Sequence, residues 1–179
     1  MNPDGRAGLR AVLFDRDGTV VHDVPYNGDP QQVRLVDGAV EVFARLRSTG
    51  LRTGIVTNQS GVGRGFITRE QADAVTAEVV RQIGGVDVVR TCPHTPTDAC
   101  RCRKPAPGLV LDAAAALGLR PDEVAVVGDS PTDAEAAEAA GARSVLVPGP
   151  QAADLTAALD LLLNPVLANP VLANPLAAG

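Results

Sequence analysis

Aromatic side chains and lysine are scarce in this chain. It has no tryptophan, one tyrosine, three phenylalanines and a single lysine, Lys104, against fifteen arginines. With so few rings there is no material for a platform on which single-stranded nucleic acid stacks. A formal net charge of −5 without a basic run likewise leaves no broad cationic face for a phosphate backbone. Nucleic acid is therefore not expected as a partner. Cysteine is equally rare: the three residues are an odd count in one cluster, Cys92, Cys100 and Cys102, which speaks against the disulfide framework of a small secreted domain. No apolar run approaches the ~18 residues of a membrane span. The opening "MNPDGRAGLRAVLFD" lacks the basic start, apolar stretch and small-residue cleavage site of a signal peptide. A cytoplasmic monomer with no membrane partner is the expectation.

The chain does have enough apolar material for a core: 179 residues, 45% hydrophobic, suit one domain. Strand and helix signals alternate along it. Short apolar runs at 11–15, 51–57, 86–91, 123–129 and 144–148 read as strands. Between them, Asp37 is expected to cap a helix through Ser48, Thr68 and Gln71 to form a capping box for a helix to about Ile83, Pro107 to start a third, and Ser130-Pro131 to open a fourth that Gly141 ends. Apolar strands separated by helices predict an α/β fold, a doubly wound parallel sheet whose ligands bind beyond the carboxyl ends of the strands. Asp15, Thr57 and Asp129 all fall at such ends. The expected organisation is a catalytic domain at 1–150, a terminal helix at 151–163, and a disordered tail at 164–179, where an Asn-Pro unit repeats every five residues.

Two groups of residues carry chemistry on their own account. In "DRDGT" (15–19), acids at i and i+2 of an extended segment point the same way, so Asp15 and Asp17 can meet one ligand, and Gly18 permits a sharp exit. An Asp-rich turn after a strand is the plainer reading of such a pair taken alone. Cys92, His94, Cys100 and Cys102 make C-x-H-x₅-C-x-C, a Cys₃His set suited to closed, tetrahedral structural Zn²⁺. Buried thiols or a redox pair are the alternatives, although C-x-C is not the C-x-x-C of thioredoxin-like centres.

Four segments taken in order, "DRDGT" at 15–19, "TNQSG" at 57–61, "RKP" at 103–105 and "GDSPTD" at 128–133, resemble the haloacid dehalogenase superfamily of phosphohydrolases. The resemblance implies that Asp15 is the nucleophile, forming an aspartyl-phosphate, and that Asp17 is the general acid and base. It implies Mg²⁺ held by Asp15, the backbone carbonyl of Asp17, and Asp129. Thr57 and Lys104 would hold phosphoryl oxygens, with Asp133 supporting the metal or the lysine; an acid that merely favours its helix N-terminus is the other reading of Asp133. The spaces between motifs leave no room for a separate cap domain.

A zinc-binding loop is similar to the subgroup that contains D-glycero-D-manno-heptose-1,7-bisphosphate 7-phosphatases and histidinol-phosphatases. "TNQSGVGRG" and the spacing of "DVPY" (23–26) resemble the heptose branch, implying that Asp23, Tyr26, Asn58, Gln59, Ser60, Arg64 and Arg103 bind a small phosphorylated sugar, the two arginines suiting a second phosphate. The short x₅ zinc loop is closer to the histidinol-phosphatase form. Ser130 stands where both branches often carry a basic residue.

Overall fold

A run such as Ala11-Val-Leu-Phe14 has no polar face, so a strand made of it must be covered on both sides. In the computed structural model, which describes residues 8–164, β1 (Ala11–Phe14) is such a strand, with all four residues buried. Its side chains alternate between two layers, as the period of an extended chain requires. Val12 and Phe14 join one core cluster, and Ala11 and Leu13 join another. β2 (Arg52–Asn58), β3 (Val88–Cys92), β4 (Val124–Gly128) and β5 (Arg143–Leu146) complete a five-stranded parallel sheet in the order β3-β2-β1-β4-β5.

Helices cover both faces. They are α1 (Ala39–Thr49), the single turn α2 (Ser60–Gly63), α3 (Arg69–Gln82), α4 (Gly108–Ala116), α5 (Pro131–Ala140) and α6 (Leu155–Leu163). Val42, Phe43 and Leu46 of α1, Val75 and Val79 of α3, and Leu155 and Leu159 of α6 share the cluster of Val12 and Phe14. The rings of Phe14 and Phe43 meet there at 4.6 Å between centroids. Leu109, Val110 and Ala113 of α4 and Ala136 and Ala137 of α5 pack with Ala11 and Leu13. The doubly wound α/β sheet expected from the sequence is thus present. Its connections hold one loop and α1 between β1 and β2, and α2 and α3 between β2 and β3, with no cap domain among the described residues.

The strand order reverses at β1: β2 and β3 lie to one side, β4 and β5 to the other. Such a switch point opens a crevice beyond the carboxyl ends of β1 and β4. Asp15 follows β1 and donates its N–H to Val127 O at 2.9 Å, while Asp129 follows β4.

Most element ends differ from the sequence reading by one or two residues; the terminal helix starts at Leu155, with Asp154 as its N-cap, rather than at 151, and two other caps differ in kind. Gly38, at φ 78°, occupies the N-cap of α1 where Asp37 was expected, and Pro107 is the N-cap of α4 rather than its first residue. The Thr68–Gln71 capping box is present, with Gln71 N donating to Thr68 Oγ1 at 3.2 Å and Thr68 N donating to Gln71 Oε1 at 2.8 Å. The turn α2 was missed, because four residues with two glycines carry no periodicity. Nearly all of the Asn-Pro repeat, with the disorder expected of it, lies outside the described residues. No helix among the described residues is long and apolar enough to cross a membrane.

Candidate active site

The chain leaves β1 through a turn that closes on itself. Arg16 O accepts from Val20 N at 2.9 Å and Val21 N at 3.0 Å, and Gly18 N donates to Val21 O at 2.8 Å. Gly18 has φ 79°, and a Cβ there would overlap the Asp129 carboxylate, so only glycine lets the turn and β4 approach this closely.

Lys104, 4% exposed, reaches into the crevice from the loop after the cysteine cluster. Its Nζ donates to Asp15 Oδ1 at 2.6 Å, to Asp133 Oδ1 at 2.5 Å and to Val56 O at 3.0 Å. Asp133 uses its other oxygen to cap α5, accepting from Ser130 N at 3.1 Å and Ser130 Oγ at 2.9 Å. Both readings of Asp133 thus describe the same side chain. It fits against β4 because Gly128 has no Cβ to meet it.

One ammonium facing this many carboxylates leaves the site short of positive charge. Burial raises the Asp15 carboxyl to about 7 against the opposing pull of Lys104, and Asp133 and Asp17 add to the rise. Burial and then Asp133 also raise Asp129. For Lys104 burial works downward but is outweighed by Asp15 and Asp133, so its pKa is raised. Single oxygens of Asp15, Asp129 and Asp133 lie within 4.8 Å of one another. A hard-oxygen set with excess negative charge fits Mg²⁺.

The Asp17 carboxylate is engaged elsewhere. Arg16, 1% exposed, directs its guanidinium at it, with Nε 3.0 Å from Oδ1 and 3.2 Å from Oδ2, and Nη2 2.9 Å from Oδ2. Gln59 Nε2 donates to Asp17 Oδ2 at 2.7 Å and to Thr57 Oγ1 at 2.9 Å. Beside Asp17 lies an open cavity of about 290 Å³ lined by Asp23, Tyr26, Asn27, Asn58, Gln59 and Ser60, among others. The structure therefore brings five of the expected substrate-binding residues to one cavity next to the expected general acid. Arg64 and Arg103 do not line it. Arg64 is exposed at the end of α2, and Arg103 Nη1 donates to His94 O at 3.2 Å. Asn58 also bonds reciprocally with the backbone of Lys104.

The three thiols are free and gather around one imidazole. Sγ separations are 3.3 Å (Cys92–Cys102), 3.5 Å (Cys100–Cys102) and 3.7 Å (Cys92–Cys100), with His94 Nδ1 3.5 Å from Cys92 Sγ and 3.3 Å from Cys102 Sγ. Tetrahedral zinc bonds of about 2.3 Å to sulfur and 2.0–2.1 Å to nitrogen put ligand atoms roughly 3.5–3.8 Å apart, so these four donors fit that ion. Burial pushes the Cys92 thiol up to about 12. At Cys100 burial is outweighed by the Arg103 N–H and the neighbouring thiols, which bring it down to about 7.

Sequence reasoning passed over Arg16, the spacer of D-x-D, and Phe66, whose ring stands edge-on to Tyr26 at 4.8 Å. A lone arginine and a lone loop phenylalanine leave no pattern.

The carboxylate crevice at the switch point, its lysine and the motif order define a class. Residues 26–141 match the family model of haloacid dehalogenase-like hydrolases, and the chain belongs to that family. Among particular relatives, a Yersinia pestis D-glycero-beta-D-manno-heptose-1,7-bisphosphate 7-phosphatase is 35% identical over 168 residues, covering 86% of this chain and 89% of that protein. The enzyme of the same name from Neisseria meningitidis is 33% identical over 144 residues, covering 78% and 77%. The crystal structure of the D,D-heptose 1,7-bisphosphate phosphatase of B. bronchiseptica, complexed with magnesium and phosphate, superposes with a TM-score of 0.78 at 33% identity, covering 87% of this chain and 98% of that one.

Proposed function

We propose that this chain hydrolyses a phosphomonoester through an aspartyl-phosphate, removing the 7-phosphate of D-glycero-D-manno-heptose 1,7-bisphosphate. The observation that carries the reading is a buried lysine–aspartate anchor, Lys104 with Asp15, two residues before an Asp17 that borders a cavity of sugar size. The similarity to proteins named for that reaction supports the substrate.

In this reading an Asp15 carboxylate oxygen attacks phosphorus as the bond to the sugar oxygen breaks, and Asp17 gives that oxygen a proton. Asp17 then takes a proton from water, whose oxygen attacks phosphorus, releasing inorganic phosphate and restoring Asp15. Lys104 holds a phosphoryl oxygen with Thr57, and Asp133 keeps the ammonium in place. Mg²⁺ bound by Asp15, the Asp17 carbonyl and Asp129 supplies the positive charge that offsets repulsion between a carboxylate and a phosphate dianion. Zn²⁺ on Cys92, His94, Cys100 and Cys102 is structural, tying the end of β3 to the segment that bears Arg103 and Lys104. Asp23, Tyr26, Asn58, Gln59 and Ser60 surround the sugar, and Arg64 and Arg103 are assigned to its second phosphate.

The test is phosphate release with Mg²⁺ from both anomers of heptose 1,7-bisphosphate and from histidinol phosphate. A kcat/KM higher by several orders for the bisphosphate is expected. The five residues between His94 and Cys100 favour histidinol phosphate as the second reading, and the opposite preference would establish it.

A further inference from the structure

Among the described residues, Arg16 is the largest side chain that is fully buried. A guanidinium cannot shed its charge to escape burial, so it must be met by acceptors. Two lie far away in sequence: Thr76 Oγ1 at 2.8 Å and Ala72 O at 3.5 Å, both on α3. All the others belong to Asp17. Thr76 is itself fixed, its hydroxyl donating to Ala72 O at 2.9 Å. The guanidinium is therefore a strut between α3 and one carboxylate, and a planar fork against a carboxylate sets rotation as well as distance.

The two oxygens of Asp17 are treated unequally. Oδ2 accepts from Arg16 Nη2, Arg16 Nε and Gln59 Nε2; Oδ1 accepts from Arg16 Nε alone. A carboxylate offers about four acceptor positions over its two oxygens. Three donors at Oδ2 fill it, whereas one at Oδ1 leaves room.

We propose that Arg16 is a positioning residue for Asp17: its fork locks the carboxylate's rotation and, with Gln59, fills Oδ2, so that Oδ1, which accepts one bond only, is the oxygen with room to exchange a proton with substrate and water. This rests on the reading of Asp17 as general acid and base. Arg16 borders the same cavity as Asp17, but in this proposal it takes no part in the proton transfer itself. It acts by preventing the Asp17 side chain from turning its filled edge toward the leaving oxygen.

Leaving-group dependence separates this role from a merely structural one. An alkyl phosphate needs a proton on its departing oxygen, whereas 4-nitrophenyl phosphate leaves without one. In Arg16→Met, kcat/KM for heptose 1,7-bisphosphate or any alkyl phosphate the enzyme turns over is expected to fall by about 10²–10³, within the range of general acid catalysis. The fall for 4-nitrophenyl phosphate is expected to be less than tenfold, with a burst of nitrophenol as the phosphoenzyme waits for its base. Asp17→Asn, measured alongside, should show the same selectivity.

Equal losses on both substrates in Arg16→Met, with Asp17→Asn selective, would overturn the role of Arg16 and leave the general acid intact. No selectivity in Asp17→Asn would overturn the general-acid reading itself. Should Arg16→Met not fold, Thr76→Val removes the outer anchor of the strut without touching Asp17. A loss of about three- to tenfold confined to the alkyl phosphate is expected there, and none, or one shared by both substrates, counts against the proposal.

Discussion

The side-chain amide of Asn58 holds the backbone of Lys104 from both sides, its Nδ2 donating to Lys104 O and its Oδ1 accepting from Lys104 N, each at 3.1 Å. The end of β2 is thereby clamped to the loop that carries the ammonium. In Asn58→Ala, about 1–3 kcal/mol of stability should be lost as two backbone groups are left without partners. A displacement of Lys104 by a fraction of an ångström should also lower kcat/KM by roughly tenfold to a hundredfold. Urea denaturation and steady-state kinetics check the two effects, and a variant normal in both would mean the clamp does not position the lysine.

Asp15 sets a pH dependence. The fold keeps its proton up to about 7, whereas an unfolded aspartate gives it up near 3.8. Across that window the folded state binds more protons than the unfolded one, so this group's contribution falls as pH rises and is fully unfavourable above 7. Metal-free Asp15→Asn should therefore melt higher than the metal-free parent at pH 8 and approach it below pH 4. Turnover should be abolished in the variant. A lower Tm at pH 8 would show that Lys104 needs the Asp15 charge more than burial opposes it.

The cysteine cluster should hold about one zinc per chain by metal analysis. Cys92, pushed up to about 12, must lose its proton to become a ligand, so zinc uptake by apo-protein should release protons into a weakly buffered solution. Cys92→Ser should reduce zinc occupancy and phosphatase activity together, because the same loop carries Lys104. Full activity without zinc would leave the cluster no structural role.

Tyr26 sits at φ 54° with 46% of its surface exposed, and Phe66, 61% exposed, supports its ring. Edge-on aromatic pairs are worth about 0.5–1.5 kcal/mol. Phe66→Ala should accordingly raise KM for the sugar phosphate by about three- to tenfold with kcat little changed. An unaltered KM would remove Tyr26 from the sugar's surroundings.

Much of this was legible beforehand because the reacting groups are tied to strand ends. An apolar run fixes a strand, the strand fixes its end, and Asp15, Thr57 and Asp129 follow from that. The cysteine cluster was legible from spacing alone. Arg16 was not, since its meaning lies in Thr76, on a helix that one-dimensional spacing cannot bring beside it. The amides of Asn58 and Gln59 do line the cavity, but their bonds to Lys104, Asp17 and Thr57 were not legible. An amide's partners depend on packing that a local motif does not encode. The aromatic pair of Tyr26 and Phe66 was illegible for the same reason.

β1 and β4 are neighbours in the sheet but distant along the chain, and Thr19 and Asp129, which meet at 3.4 Å, are 110 residues apart. The first three strands can pair through short-range connections, but none of those pairings brings Asp129 to Asp15. Closing so long a loop is among the slower events of folding. Recovery of activity after dilution from denaturant should therefore lag behind recovery of helix signal, and catalysis becomes a reporter of the last long-range pairing to form.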